Sequence, residues 1–232
     1  MSERIFVRLF DFRIYNEDLS EESDSDEEEN KEYVEKKDKK ETLIQMFGMN
    51  EEGETFAINV MNFKPFFYVK VPQTWGISEL KKFERKVKKK IGNYYSESVN
   101  KFKLIKKKKL YGFDNNKYYN FIKISFKNTT AYNKVKALWY TENEDFRKRK
   151  LIDGGYDYEK TNKKTELYEA KLPPLLRFFH INDISPSGWI SFSEDDIDDD
   201  IEFENQTCCD QEYWIDYKSI KPEKSKETAV PL

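Results

Sequence analysis

The sequence predicts an α+β fold: mixed and antiparallel sheets, a ferredoxin-like βαββαβ unit, additional β-strands and long charged loops. Three observations carry this expectation. Aromatic-rich runs alternate apolar and polar residues with a period of two, which suits half-buried strands. Two stretches of helical period interrupt them, so that residues 63–140 read strand, helix, strand, strand, helix. Finally, 18 Phe, 15 Tyr and 4 Trp accompany a mean hydropathy of -0.91 and 37% charged residues. So many rings can fill a core with few residues, and the charge then belongs to insertions rather than to a disordered chain.

The elements follow in order. "RIFVRLFDFRIY" (4–15) reads as a strand. Residues 17–40 form a charged insertion, acidic and then basic, with the composition of a disordered loop. "TLIQMFGMNEEGETFAINV" (42–60) reads as a β-hairpin turning near "NEEG", and "FKPFFYVKVP" (63–72) as a strand ended by Pro72. In "SELKKFERKVKKKIG" the apolar residues Leu80, Phe83, Val87 and Ile91 fall on one helical stripe, with Ser78 as N-cap and Gly92 as the stop. "NKFKLIKKKKLYGF" and "YYNFIKISF" read as strands joined near "DNNK". A helix over "NTTAYNKVKALWY" follows, capped by Asn128 or Thr129, with Ala131, Val135, Leu138 and Trp139 inward. A strand near "TELYEA" completes the ferredoxin-like order. Pro173 and Pro174 open a short helix through "LLRFFHIND", and "GWISF" and "QEYWIDYKSI" read as strands separated by an acidic loop. Three regions result: one domain from 1–16 and 41–190, the insertion 17–40, and the loop and strands of 191–232.

A net charge of -3 hides strong segregation. Residues 81–110 carry 13 Lys/Arg against 2 Glu, whereas 17–30 and 194–210 each carry 9 acids and no base. Such blocks create local fields that the net charge does not describe. The two cysteines, Cys208 and Cys209, are adjacent, so no disulfide framework is implied. No signal-peptide layout opens the chain and no apolar run has the length of a membrane span, so no membrane partner is expected.

Catalytic chemistry finds little support. With a single His there is no metal cluster and no nucleophile–His pair, and His180 reads as structural or as a surface residue. Neither a phosphate-binding loop nor a dinucleotide fingerprint is present. Asp200-Ile201-Glu202 has the spacing of a metal-binding Asp-x-Glu, but it lies among further acids without an apolar strand and reads as a solvated loop. The basic region is more informative. Lys106, Lys107, Lys108 and Lys109, with the lysines of the first helix, suit phosphates, while Tyr94, Tyr95, Tyr111 and Phe113 suit stacking on bases. A solvated lysine-rich face is the competing reading.

"YEAKLPPLLRFFHINDISPSGWI" (168–190) resembles the stretch that closes the N-terminal domain of family B DNA polymerases. These carry a Tyr-Glu, a spacer, an apolar residue and Pro, then an amphipathic segment with Arg and a bulky pair. Here those positions are Tyr168, Glu169, Leu172, Pro173, Arg177, Phe178 and Phe179. "IQMFGMNEEGETFAINVMNFKPFFYVKVP", "LYGFDNNKYYNFIKISFKN" and "SGWI … CCDQEYWIDYKSIKP" are similar, in the same order, to segments of the delta-type enzymes. The residue style is that of the polymerases of giant nucleocytoplasmic DNA viruses. The resemblance covers most of the chain except 17–40 and the acidic loop.

The resemblance implies a fragment that ends before the exonuclease and polymerase domains, hence without either set of metal-binding carboxylates and inactive by itself. Mg2+ would serve the full polymerase, and no cofactor is expected in this chain. Implied partners are single-stranded template DNA and the rest of the polymerase, namely its exonuclease and palm domains. Implied locations are the host cytoplasm or the virion. Tyr168, Pro173 and Arg177 fall where archaeal relatives line a pocket for deaminated template bases, and they join Lys106–Lys109 and Tyr111 as expected nucleic-acid contacts. That base-reading function is not carried over, because the pocket also needs residues of the first strands. The expected function is a non-catalytic template-binding and scaffold domain. The alternative is an interaction domain that docks the rest of a split polymerase through 172–190 without touching nucleic acid. An autonomous RNA-binding module ranks below both, since the aromatic signature of RNA-recognition strands is not matched.

Overall fold

The computed structural model describes residues 3–18, 39–109, 114–143, 145–157, 164–198 and 207–226. The chain divides into two compact units. One gathers residues 1–17, 42–63 and 173–232, and the other gathers 18–41 and 64–172.

The first unit is built on a six-stranded sheet. Strand β1 (Arg4–Glu17) is followed by the hairpin β2 (Glu41–Met49) and β3 (Thr55–Met61). The hairpin turns through Asn50, whose side chain accepts from the backbone N–H groups of Glu52 at 3.1 Å and Glu54 at 2.9 Å.

The second unit follows in the chain. Strand β4 (Phe66–Val71) leads to helices α1 (Ile77–Ile91) and α2 (Asn93–Ser96), then to strands β5 (Val99–Lys108) and β6 (Tyr118–Phe126). Helix α3 (Thr129–Lys136), the short strand β7 (Tyr156–Asp157) and β8 (Lys164–Tyr168) complete it. Helix α4 (Pro174–Asn182) and strands β9 (Trp189–Ser193), β10 (Gln211–Asp216) and β11 (Lys221–Pro222) return to the first unit.

The order of the first sheet is β10-β3-β2-β1-β9-β11, with β10 parallel to β3, while β9 is antiparallel to both β1 and β11. A buried polar relay ties three of these strands. Gln45 donates to Asn59 at 2.7 Å, and Asn59 donates to Glu212 at 2.9 Å. Val7, Leu9, Ile44, Ile58, Val60, Ile190, Phe192 and Ile215 form the core with Phe178 and Phe179 of α4. Pro174 stands at the first turn of α4, where a missing N–H costs nothing. The helix lays Phe178 against Phe63 at 5.3 Å and Phe179 against Phe12 at 4.7 Å between ring centroids. The "LLRFF" run is therefore largely consumed by its own sheet, leaving Leu176 as its exposed apolar member at 51%.

The second sheet has the order β5-β6-β4-β8-β7, and its neighbouring strands pair antiparallel. Taken as β4, β5, β6 and β8, its strands lie in the order second, third, first, fourth. This is the expected ferredoxin-like unit, with α1 and α3 as its crossovers. The helix-side core contains Phe67, Val69, Val71, Phe83, Val87, Ile91, Ile122, Ile124, Phe126, Val135 and Trp139.

Two cap expectations meet the structure differently. Helix α1 starts before Ser78: Gly76 is the N-cap, and the Glu79 carboxylate reaches back to the Gly76 N–H at 3.0 Å. Asn128 caps α3 as expected, accepting from the Ala131 N–H at 2.8 Å. Its amide also donates to the Lys40 carbonyl at 2.8 Å. Asn128→Ala removes both bonds at a fully buried position, so we expect a loss of about 2 kcal/mol, read from the urea midpoint.

Candidate nucleic-acid interface

Strand alternation decides which of the basic residues act together. Phe67, Val69 and Val71 of β4 point to the helices, so Phe66, Tyr68 and Lys70 point to the opposite face of the sheet. In β6 the helix side takes Ile122, Ile124 and Phe126, and the opposite face takes Tyr119, Phe121 and Lys123. In β8 that face takes Glu166 and Tyr168. The register joins them: Lys107 lies opposite Tyr119, Lys70 opposite Phe121, and Tyr68 opposite both Lys123 and Tyr168.

The rings and ammonium groups on this face are in contact. Lys123 Nζ lies 3.6 Å from the Phe66 ring centre, and Lys107 Nζ lies 4.6 Å from that of Tyr68. Lys107 also donates to the Tyr68 hydroxyl at 3.1 Å. The Tyr119 ring has Lys109 at 4.7 Å, Lys70 at 5.5 Å and Lys117 at 5.8 Å. Each contact has the geometry of a cation–π pair. Phe66, Tyr68 and Phe121 are buried, whereas Tyr119 and Tyr168 keep part of their surface exposed. Two lysines have carboxylate partners: Lys70 meets Glu166 at 2.8 Å and Lys109 meets Asp114 at 3.8 Å.

The expected quartet is therefore divided. Lys107 and Lys109 belong to the ring-bearing face. Lys106 and Lys108 alternate to the helix side, where Lys108 Nζ sits 5.3 Å from the ring of exposed Tyr118. Four consecutive residues of an extended segment cannot share one face. Strand β5 is also an edge strand, and lysines along an edge discourage pairing with another chain. Of the other basic residues of 81–110, Lys101 and Lys103 also lie on β5 and the rest lie on α1. Lys81, Lys82, Lys86, Lys89 and Lys90 are exposed there, in the helix layer. Tyr94 and Tyr95 stand beside them on α2, in edge contact at 4.9 Å. Lys136 of α3 is held below the usual lysine range, first by burial and then by the nearby charge of Lys171.

The other expected contacts are scattered. Tyr168 lies on the ring-bearing face, 5.2 Å from Phe121 between ring centres. Pro173 and Arg177 belong to the other unit, and Arg177 is only 4% exposed, so its guanidinium is not presented at the surface. Tyr111, Phe113 and the Asp200–Glu202 motif lie outside the described residues. Among the described residues no group of three or more His, Cys, Asp or Glu comes together as a metal site, and no helix is long and apolar enough to cross a membrane.

Tyr68, Lys70, Tyr119, Phe121, Lys123 and Glu166 were missed as a group by the sequence reading. The signal was present in the period of two within "FFYVKV" and "YYNFIKISF". It becomes legible only when β4 and β6 are known to be neighbours, each bringing two aromatic side chains to one face.

Comparison with known proteins relates the chain to DNA polymerases. No family model matches the chain. It is 43% identical over 221 residues to a DNA polymerase of Phaeocystis pouchetii virus, covering 92% of this chain and 20% of the relative. It is 30% identical over 238 residues to a DNA polymerase of Acanthamoeba polyphaga mimivirus, covering 97% of this chain and 12% of the relative. Among solved structures, the family B DNA polymerase of the archaeon Pyrobaculum calidifontis aligns over 94% of this chain and 20% of its own, with a TM-score of 0.47 and 13% identity. The chain thus spans a fifth or less of the length of these proteins. The alignments to the viral enzymes run through nearly the whole chain, both units included, so the chain is related to one segment of these viral DNA polymerases.

Proposed function

We propose that this chain is the non-catalytic, template-side module of a viral replicative polymerase, binding single-stranded DNA on the ring-bearing face of the ferredoxin-like sheet. The observation that carries the reading is the gathering of Lys70, Lys107, Lys109, Lys117 and Lys123 on one face with the partly exposed rings of Tyr119 and Tyr168, which pack against the buried Tyr68 and Phe121. Lysines neutralise phosphates and rings stack on bases whatever the sequence, which suits a surface that must pass every template. The exonuclease and palm domains of the same polymerase would be its partners, and the host cytoplasm or the virion its location. Magnesium would serve those domains, and this chain binds without a metal.

The test is fluorescence anisotropy of a labelled dT oligonucleotide titrated with the 232-residue chain at several salt concentrations. The reading expects weak binding that falls steeply with salt, exceeds binding to duplex of equal length and is the same with EDTA as with Mg2+ at matched ionic strength. Equal affinity for duplex, or no binding at low salt, would remove the reading. The docking alternative draws on Leu176 and Ile181 of α4, exposed at 51% and 47%. These two side chains make a smaller feature than the lysine and ring face.

A further inference from the structure

Three of the sheet edges are short or covered. Strands β7 and β11 have two residues each. Strand β10 is bridged by Ile197 opposite Ile215, and the Asp198 N–H donates to the Trp214 carbonyl at 2.9 Å. Strand β5 is different. It runs for ten residues and, among the described residues, pairs with β6 alone. A register shift interrupts it between Val99 and Lys101, so its regular part is Lys101–Lys108. Along such an edge alternate N–H and C=O groups point away from the sheet and can bond a further strand.

The side chains of β5 define what that strand must be. Lys101, Lys103, Lys106 and Lys108 are exposed. Alternation puts the first two on the ring-bearing face and the last two on the helix side. Between them stand Leu104 and Ile105, one against the core of each face and both only partly buried. Their neighbours one strand further in, Ile122 and Phe121, are 0% and 3% exposed. Leu104 and Ile105 stay half covered because β5 is the last strand of its sheet. Lysine opposite lysine keeps out a second copy of this edge, whereas the same charges attract an acidic strand.

We propose that β5 accepts an extended acidic segment of another polypeptide as an added strand. Its acids lie opposite Lys101, Lys103, Lys106 and Lys108, and two adjacent apolar residues cover Leu104 and Ile105. Main-chain bonds supply the affinity, and the order of acidic and apolar residues supplies the selectivity. The pattern of β5 is nearly symmetric about Leu104 and Ile105. The order acid-x-acid-apolar-apolar-acid-x-acid therefore satisfies it in either direction. A nucleic-acid strand meets only part of this edge. Its phosphates accept from N–H groups, but they offer no donors to the carbonyls and nothing apolar to the central pair. The proposal is independent of single-strand binding on the ring-bearing face.

The probe is a fluorescein-labelled peptide, ETEVVETE, titrated into the full chain, with KTKVVKTK as control. Saturable binding of the acidic peptide alone is expected. Amide hydrogen exchange, followed by NMR on the unaltered chain at saturation, should slow by at least about tenfold at alternate residues of Lys101–Lys108. Lys103→Glu/Lys106→Glu should weaken ETEVVETE by about tenfold, and ETKVVKTE should recover the loss on that variant. Absence of ETEVVETE binding would overturn the proposal. Binding without slowed β5 amides would overturn it too, since charge alone would then hold the peptide. If a dT oligonucleotide slows the same alternate amides, the edge belongs to the nucleic-acid surface and the peptide assignment fails. The exchange measurement needs no substitution, so it decides even if the variant folds poorly.

Discussion

The double substitution Lys107→Glu/Lys109→Glu is expected to lower the affinity for a dT oligonucleotide on the order of 100-fold near 0.1 M salt. Both ammonium groups lie over rings of one face, Lys107 on Tyr68 and Lys109 on Tyr119. Each neutralised phosphate contributes about 0.7 to the slope of log K against log salt for a single strand. The slope should therefore become shallower by about 1.4, measured by titration at four or more salt concentrations. Lys106→Glu/Lys108→Glu changes the net charge equally, but those side chains alternate to the helix side, so its loss should be only several-fold. Equal losses from the two pairs would mean that general charge, and not this face, attracts the strand.

The second large effect is on stability. Trp139 is fully buried, and its indole N–H donates to the Thr165 carbonyl at 2.9 Å. Its ring contacts Phe67, Phe83 and Tyr156 at centroid distances of 6.2, 6.3 and 5.5 Å. It thus joins β4, α1, β7 and β8 at one point. Trp139→Ala leaves a large cavity and removes the indole hydrogen bond to Thr165, and should cost about 4 kcal/mol. Chemical denaturation followed by circular dichroism would show the midpoint fall. Tyr118→Ala, at a side chain in a residue 57% exposed, should change stability by less than about 0.5 kcal/mol. A small effect at Trp139 would mean that the helix-side core is not what holds the ferredoxin-like unit together.

Local signals carried most of the element order. The stripe Leu80, Phe83, Val87 and Ile91 marks α1, Asn128 marks the start of α3, and the proline pair marks α4. These features depend on residues a few positions apart. What the sequence hid depends on partners far along the chain. The start of α1 lies at Gly76 because Glu79 reaches back to it, an interaction that outranked the better intrinsic cap Ser78. The parallel pairing of β10 with β3 joins residues more than 150 positions apart and is reinforced by the contact of Asn59 with Glu212. Strands β7 and β11 have two residues each, too short for any period to show.

The site was legible in part for the same reason. A run of four lysines is conspicuous, but the rule that alternate residues of a strand face opposite ways splits it. Lys70, Tyr119 and Glu166 stand on three strands, and nothing local connects them. Arg177 drew attention through its place in the resemblance, yet it is buried. Tyr168, from the same stretch, lies among the rings.

The account's central claim is that single strands lie on the ring-bearing face and not on the lysines of α1. The most direct measurement is residue-resolved chemical-shift mapping of the full chain titrated with a dT oligonucleotide. The account predicts the largest changes at Lys70, Lys107, Tyr119, Phe121 and Tyr168, with Lys81, Lys82, Lys86, Lys89 and Lys90 nearly unmoved. Changes confined to α1, with that face silent, would contradict it.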